Sequence, residues 1–351
     1  MTSRSGTAWF VSAAMAVLIA ATAADAGEKI VIGTVNLPAT GPLYIAQDKG
    51  YFAAQDLDVE VRFFESAQAI ATAVVSGDIQ FGATSLTAGF WSLADKGGLK
   101  VIAGMLADRK DYHAGNAFVV SNDAYAAGVT TPAKLGGKVF AVTTNGSSLH
   151  YGALRVAETL GVDPATIQIR PMQQWSAALA AVKTGKVDAT QAAAATARGM
   201  EAAGDVKIIG WQGDYIPFQI AAIFTSAALI KKDRGLVERF INGYAKGIDF
   251  YTEAFLKGIE SGAPQYGPAT DEAIAIIHKR LLKDDPDFAN KIKASVTYYH
   301  PKGAMDVDNI LSQVAFFKAN RLVDTSIDPG KLIDGSFVPP LPQQPSQRNP
   351  G

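Results

Sequence analysis

From Lys29 onward, short apolar runs alternate with stretches whose apolar residues recur at helical spacing. KIVIGTVN, Lys29 to Asn36, predicts a buried strand. A turn rich in proline and glycine follows from Leu37 to Pro42. A short helix then runs from Leu43 to Lys49 and is stopped by Gly50. Val59–Phe64 alternates apolar and polar residues as a half-buried strand does, and Gln68–Ser76 has small apolar residues on one helical face. Ile79–Ala83, Thr87–Lys96 and Leu99–Met105 predict a strand, a helix and a strand. Strands alternating with helices of this length predict βαβ units and a mainly parallel sheet.

Part of this pattern occurs twice. Val59–Thr84 aligns without a gap on Ile167–Ala192, placing Arg62 on Arg170, Ala73 on Ala181 and Gly77 on Gly185. Strand, turn, helix, glycine and strand all keep register. Lys138–Gly161 supplies a preceding strand, turn and helix, as Lys29–Gly50 does in the first copy. Two copies of one α/β pattern imply two similar lobes. After Ala221 the pattern changes: Ala221–Ile230 predicts one more strand, and Leu236, Val237, Phe240, Ile241, Tyr244 and Ile248 then recur at helical spacing. Further helices are predicted at Asp271–Leu282 and Asp306–Asn320. Their apolar faces need burial, and packing back on the first lobe supplies it.

The ends change the picture. Arg4 followed by an uncharged apolar run, Ala8–Ala24, and the A-x-A site Ala24-Asp25-Ala26 has the layout of a cleaved secretory signal peptide over residues 1–26. The mature chain is then expected in the periplasm. Residues 337–351, rich in proline and glutamine, predict a loosely held tail. The expected organisation is a discontinuous first lobe, 27–115 plus 228–336, around a second lobe, 116–227. With 32 basic and 33 acidic residues there is no basic excess for nucleic acid. The absence of cysteine excludes disulfides and thiol chemistry.

In open α/β sheets, ligands bind beyond the carboxyl ends of the strands, where helix N-termini present free N–H groups. The strongest candidate turn is Thr143–Ser148, in which Asn145, Ser147 and Ser148 stand beside Gly146, and His150 lies one step further on. The serines read equally as helix caps, and His150 equally as a packed residue. In the first lobe, Thr40, Gly41, Pro42 and Leu43, then Thr84 and Ser85, occupy corresponding turns. Ser66 follows the Val59 strand, and Trp175 and Trp211 are candidates for stacking on a ligand. Catalytic signals are weak. His113, His150, His278 and His300 lack metal-ligand spacing, Ser147 and Ser148 lie in no G-x-S-x-G elbow, and the turn lacks the lysine of a P-loop. No cofactor, metal or catalytic residue is expected.

The segments GPLYIAQDKGYFAAQDLDVEV (Gly41–Val61), AVVSGDIQFGATS (Ala73–Ser85), TTPAKLGGKVFAVTTNGSS (Thr130–Ser148), AALAAVKTGKVDA (Ala177–Ala189) and ANRLVDTSIDPGKLIDGSFV (Ala319–Val338) give the chain a family likeness. It resembles the periplasmic substrate-binding proteins of ABC importers in the nitrate, taurine and alkanesulfonate group, also called NMT1/THI5-like. The resemblance implies a type II periplasmic binding protein fold, with two α/β lobes and a ligand cleft between them. It also implies hinge closure and delivery to an inner-membrane permease with a cytoplasmic ATPase by a protein acting as a monomer. Where that family often has a Ser-Gly pair after the second strand, Glu65-Ser66-Ala67 stands here, which favours a small organic anion over nitrate. A periplasmic sensor and an enzyme like the pyrimidine-precursor synthases are the alternatives.

Overall fold

The computed structural model describes residues 27–35, 38–110, 115–259, 263–281 and 284–341. The expected signal peptide, His113 and the last ten residues of the expected tail lie outside these. The first lobe runs β1 (Glu28–Thr34), α1 (Gly41–Asp48), β2 (Leu57–Phe63), α2 (Ala67–Ser76), β3 (Phe81–Ser85), α3 (Ala88–Gly97) and β4 (Leu99–Gly104). The chain then crosses through β5 (Leu106–Asp108). The second lobe comprises β6 (Asn116–Ser121), α4 (Asn122–Ala126), β7 (Val139–Val142), α5 (Ser148–Thr159), β8 (Gln168–Pro171), α6 (Trp175–Lys183), β9 (Ala189–Ala193), α7 (Ala194–Ala202) and β10 (Val206–Trp211). The return passes through β11 (Phe218–Gln219) to β12 (Ala221–Ser226), α8 (Ala227–Lys232) and α9 (Arg234–Tyr251). Then come α10 (Pro268–His278), α11 (Phe288–Ala294), β13 (Tyr298–Tyr299) and α12 (Val307–Ala319).

The two lobes have the same topology. The first sheet is ordered β2-β1-β3-β12-β4 and the second β8-β7-β9-β6-β10. β3 and β9, and likewise the first residues of α2 and α6, are displaced by the 108-residue offset of the sequence repeat. Gly77 and Gly185 end the repeated helices with φ of +83° and +70°, a conformation that favours glycine.

Each sheet departs from the expected parallel arrangement at one strand. β12 runs antiparallel to β3 and β4, and β6 antiparallel to β9 and β10. In both cases the odd strand is the one that has just arrived from the other lobe, so it enters its sheet in the reverse direction. β12 also corrects the expected boundary. The chain has rejoined the first sheet by Ala221, so residues 221–227 belong with the first lobe. The expected strand over Ala221–Ile230 ends at Ser226, whose hydroxyl caps α8 by accepting from Leu229 N at 3.1 Å.

A small third sheet, β11-β5-β13, joins the two crossovers to the chain leading into α12. Fully buried Gln219 fixes this hinge: its Nε2 donates to Ala221 O at 3.0 Å, and its backbone N to Asn309 Oδ1 at 2.9 Å. Gln313 Nε2 on α12 donates back to Gln219 O at 2.9 Å. Buried polar groups paired in this way fix one register for the crossover. α9 packs on α1 as its periodicity predicted, and Gly247 permits the close approach, since a Cβ there would lie 2.2 Å from Pro42 O. The start of the expected tail is also packed: Arg234 lies over the Phe337 ring at 4.2 Å, and Val338 borders the core.

Candidate functional site

Two strand-to-helix turns, one from each lobe, face one another: the turn between β7 and α5 and the turn between β3 and α3. In the second lobe, Gly146 takes φ +77°, and Ser147 caps α5 by accepting from His150 N at 3.3 Å. Gly146 N donates to His150 Nδ1 at 2.9 Å. That bond requires the neutral imidazole with its proton on Nε2. In the first lobe, Thr87 caps α3 by accepting from Phe90 N at 3.1 Å. The turns then meet: Ala88 N, the first amide of α3, donates to Gly146 O at 2.9 Å. A Cβ at position 146 would lie 2.4 Å from the Ala88 Cβ, so the contact also needs glycine.

A second contact joins the lobes elsewhere. Arg198 on α7 lies over the Trp211 ring at 4.7 Å and donates to Ala294 O, the last residue of α11, at 2.9 Å. A cation there also faces the negative end of the helix dipole.

The expected site residues divide. Ser85 and Ser148 are part-exposed at the meeting turns, Asn145 is exposed beside them, and Thr84 is buried in β3 just behind. Ser147 is buried and engaged as a cap. Ser66 is exposed and caps α2 by accepting from Ala69 N at 3.3 Å. Trp175, half-buried, opens α6 and donates its indole N–H to Gln191 O at 3.3 Å. The start of α1 is more deeply enclosed. Thr40 donates to Val35 O at 3.2 Å, a Cβ on Gly41 would meet Ile277 and Tyr251, and Pro42 and Leu43 are buried, Leu43 inside the first-lobe core. His150 holds the Gly146 peptide, and Trp211 carries Arg198.

Sequence reasoning missed the cross-lobe contact, because Ala88 acts through its backbone. It also missed Gln191 on β9 and Gln212 after β10, both fully buried, with Gln191 Nε2 donating to Gln212 Oε1 at 2.5 Å. Gly152 makes room for the pair: a Cβ there would lie 2.1 Å from Gln212 Oε1. A glutamine amid alanines in ATQAA was the available signal.

Burial lowers the pKa of His150. The sign follows: its contribution to stability is full above the ordinary histidine pKa and is lost as pH falls through the lowered value. The melting temperature is therefore expected to drop on acidification below pH 6.5. His150→Asn, whose Oδ1 accepts the same bond without titrating, should remove that part of the drop; superimposable pH profiles would refute the assignment.

Among the described residues no group of three or more His, Asp or Glu side chains is placed to hold a metal ion, and no helix is long and apolar enough to cross a membrane. The sequence profile described as NMT1/THI5 like matches residues 38–254. A comparison with curated proteins finds no match. The periplasmic aliphatic sulphonate binding protein SsuA from Escherichia coli is similar in structure, with TM-score 0.66 and 19% identity over 92% of this chain and 97% of that one. So is the periplasmic nitrate-binding protein NrtA from Synechocystis PCC 6803, with TM-score 0.64 and 14% identity over 89% of this chain and 87% of that one. The desulfurization enzyme DSZB shares the fold more distantly, with TM-score 0.57 and 13% identity over 88% and 97% of the two chains. At these identities the likeness establishes the fold: two α/β lobes of the periplasmic binding protein type.

Proposed function

The chain belongs to the NMT1/THI5-like family, and from that premise we propose that it is the periplasmic solute-binding component of an ABC importer. It captures a small organic anion, a sulfonate or carboxylate, between its lobes and delivers it to a membrane permease. The observation that carries this reading is the meeting of two capped helix starts, α3 and α5, from separate sheets across one hinge. Helix N-termini favour negative charge by roughly 0.3–1 kcal/mol when exposed and up to about 2 kcal/mol when partly buried. In this reading the part-exposed Ser85 and Ser148 donate to the ligand, and Asn145, Ser66 and the Trp175 ring extend the surface it meets. With the export signal expected at residues 1–26, the protein works as a periplasmic monomer.

A solute touching both lobes favours the closed state and stabilises the fold. A melting panel of sulfonates, aromatic acids and pyrimidines is expected to contain a ligand that stabilises by about 2.7 kcal/mol at a hundredfold excess over its dissociation constant. The solute should be recovered unchanged. A stabilising compound converted to product would favour the enzyme reading, which the structural likeness to DSZB keeps in view. A panel without any stabilising member would count against the proposed ligand class.

A further inference from the structure

We infer that the chain carries its own clasps, Ala88–Gly146 and Arg198–Ala294, which hold the lobes together before any solute arrives. The inference extends the solute-capture reading by naming what sets the open–closed balance.

The first clasp is made of backbone, and its parts are positioned for it. The left-handed φ of Gly146 orients the two peptides that flank its Cα so that its N–H and its C=O are both used. The N–H is held within the second lobe by His150 Nδ1, and the C=O reaches Ala88 N in the first lobe. His150 is thus a positioning residue: it anchors the peptide on one side of the Gly146 Cα, next to the peptide whose carbonyl crosses the gap. Ala88 and Gly146 are both buried, so water competes weakly for this bond. The partner on α3 is the first helical amide, which has no acceptor within its own helix. Closing the lobes therefore satisfies a group that opening exposes to water. The second clasp is exposed and ionically screened, and it contributes less. A solute then adds its contacts to an equilibrium the protein has already biased.

One substitution removes the first clasp while respecting the helix. Ala88 is the first residue of α3, where proline is well tolerated, and Thr87 before it has φ −78° and ψ 166°, the extended conformation that proline requires of its predecessor. Ala88→Pro deletes the donor and places ring atoms where Gly146 O sits, while the Thr87 cap is kept. Arg198→Ala removes the second clasp.

The chain has no cysteine, so a pair of introduced cysteines reports cleanly on the lobes. Thr72→Cys on α2 and Ala180→Cys on α6 are exposed and equivalent by the repeat. Nitroxide labels there, measured by pulsed electron–electron resonance on the solute-free mature protein, should give a predominant closed-state distance. Ala88→Pro should lower the closed-to-open ratio by about fivefold, the effect of one lost hydrogen bond. Arg198→Ala should lower it less, and the double variant most. Far-UV circular dichroism checks that the helices are retained. Should Ala88→Pro unfold the protein, Arg198→Ala, which alters an exposed side chain, decides alone. Distance distributions unchanged by the substitutions, or a solute-free wild type that is predominantly open, would overturn the inference. No solute enters this measurement, so its failure and that of the ligand panel are seen separately.

Discussion

Phe240→Ala is expected to destabilise the protein by roughly 3–5 kcal/mol in urea unfolding, the cost of emptying a large buried aromatic site. Phe240 is fully buried on α9 and stacks on Phe81 of β3, with centroids 3.9 Å apart and planes inclined by 11°. Its neighbour Phe52 stacks at 5.3 Å and 13°. This three-ring stack ties the segment after the second crossover back to the first lobe. A loss below about 1 kcal/mol would mean that α9 is not integral to that lobe.

Asp108→Asn is expected to change the pH dependence of stability by a few kcal/mol and to leave the protein more stable than wild type at pH 8.5. Asp108 ends the hinge strand β5 and is 4% exposed. Burial raises its carboxyl pKa to about 7, against the opposing donation of Asn116. Asn116 N donates to Oδ1 at 3.0 Å and Asn116 Nδ2 to Oδ2 at 3.1 Å. The raised value means that Asp108's contribution is full below the ordinary carboxylate range and is lost as pH rises through about 7. Wild type should therefore weaken between pH 5 and 8.5, with each pKa unit worth about 1.4 kcal/mol. The asparagine variant loses that dependence, because rotation of the Asn116 amide can present an acceptor to the new N–H₂. Parallel pH profiles of denaturation for the two proteins would contradict this.

The fold, two α/β lobes of one pattern, was legible because the repeat carries its own punctuation. Gly77 and Gly185 mark the same helix end in each copy, and the 108-residue offset recurs in β3 and β9. The spacing of Leu236, Phe240, Tyr244 and Ile248 likewise identified the buried face of α9. Strand direction was not legible. β6 and β12 read locally like any other strand, and only the crossing of the hinge reverses them.

At the site, the turns could be read as helix starts, because serine and threonine between a strand and a helix are capping residues, as Ser66, Thr87 and Ser147 prove to be. Their contacts could not. Leu43 follows a turn but faces the core, and His150 is committed to a backbone amide four residues earlier. One cross-lobe hydrogen bond passes through the backbone of Ala88, whose side chain carries no signal. The burial of Asp108 is likewise set by how the crossovers fold together, beyond the reach of a local pattern.

The most direct test of the account is calorimetric titration of the best solute from the melting panel against the wild type and two variants, one in each lobe: Ser85→Ala and Ser148→Ala. Binding between the lobes predicts one site per chain, with each substitution weakening affinity by roughly ten- to a hundredfold, the loss of a hydrogen bond to a charged group. Affinity that responds to only one lobe, or to neither, would place the solute outside the gap between them and contradict the account.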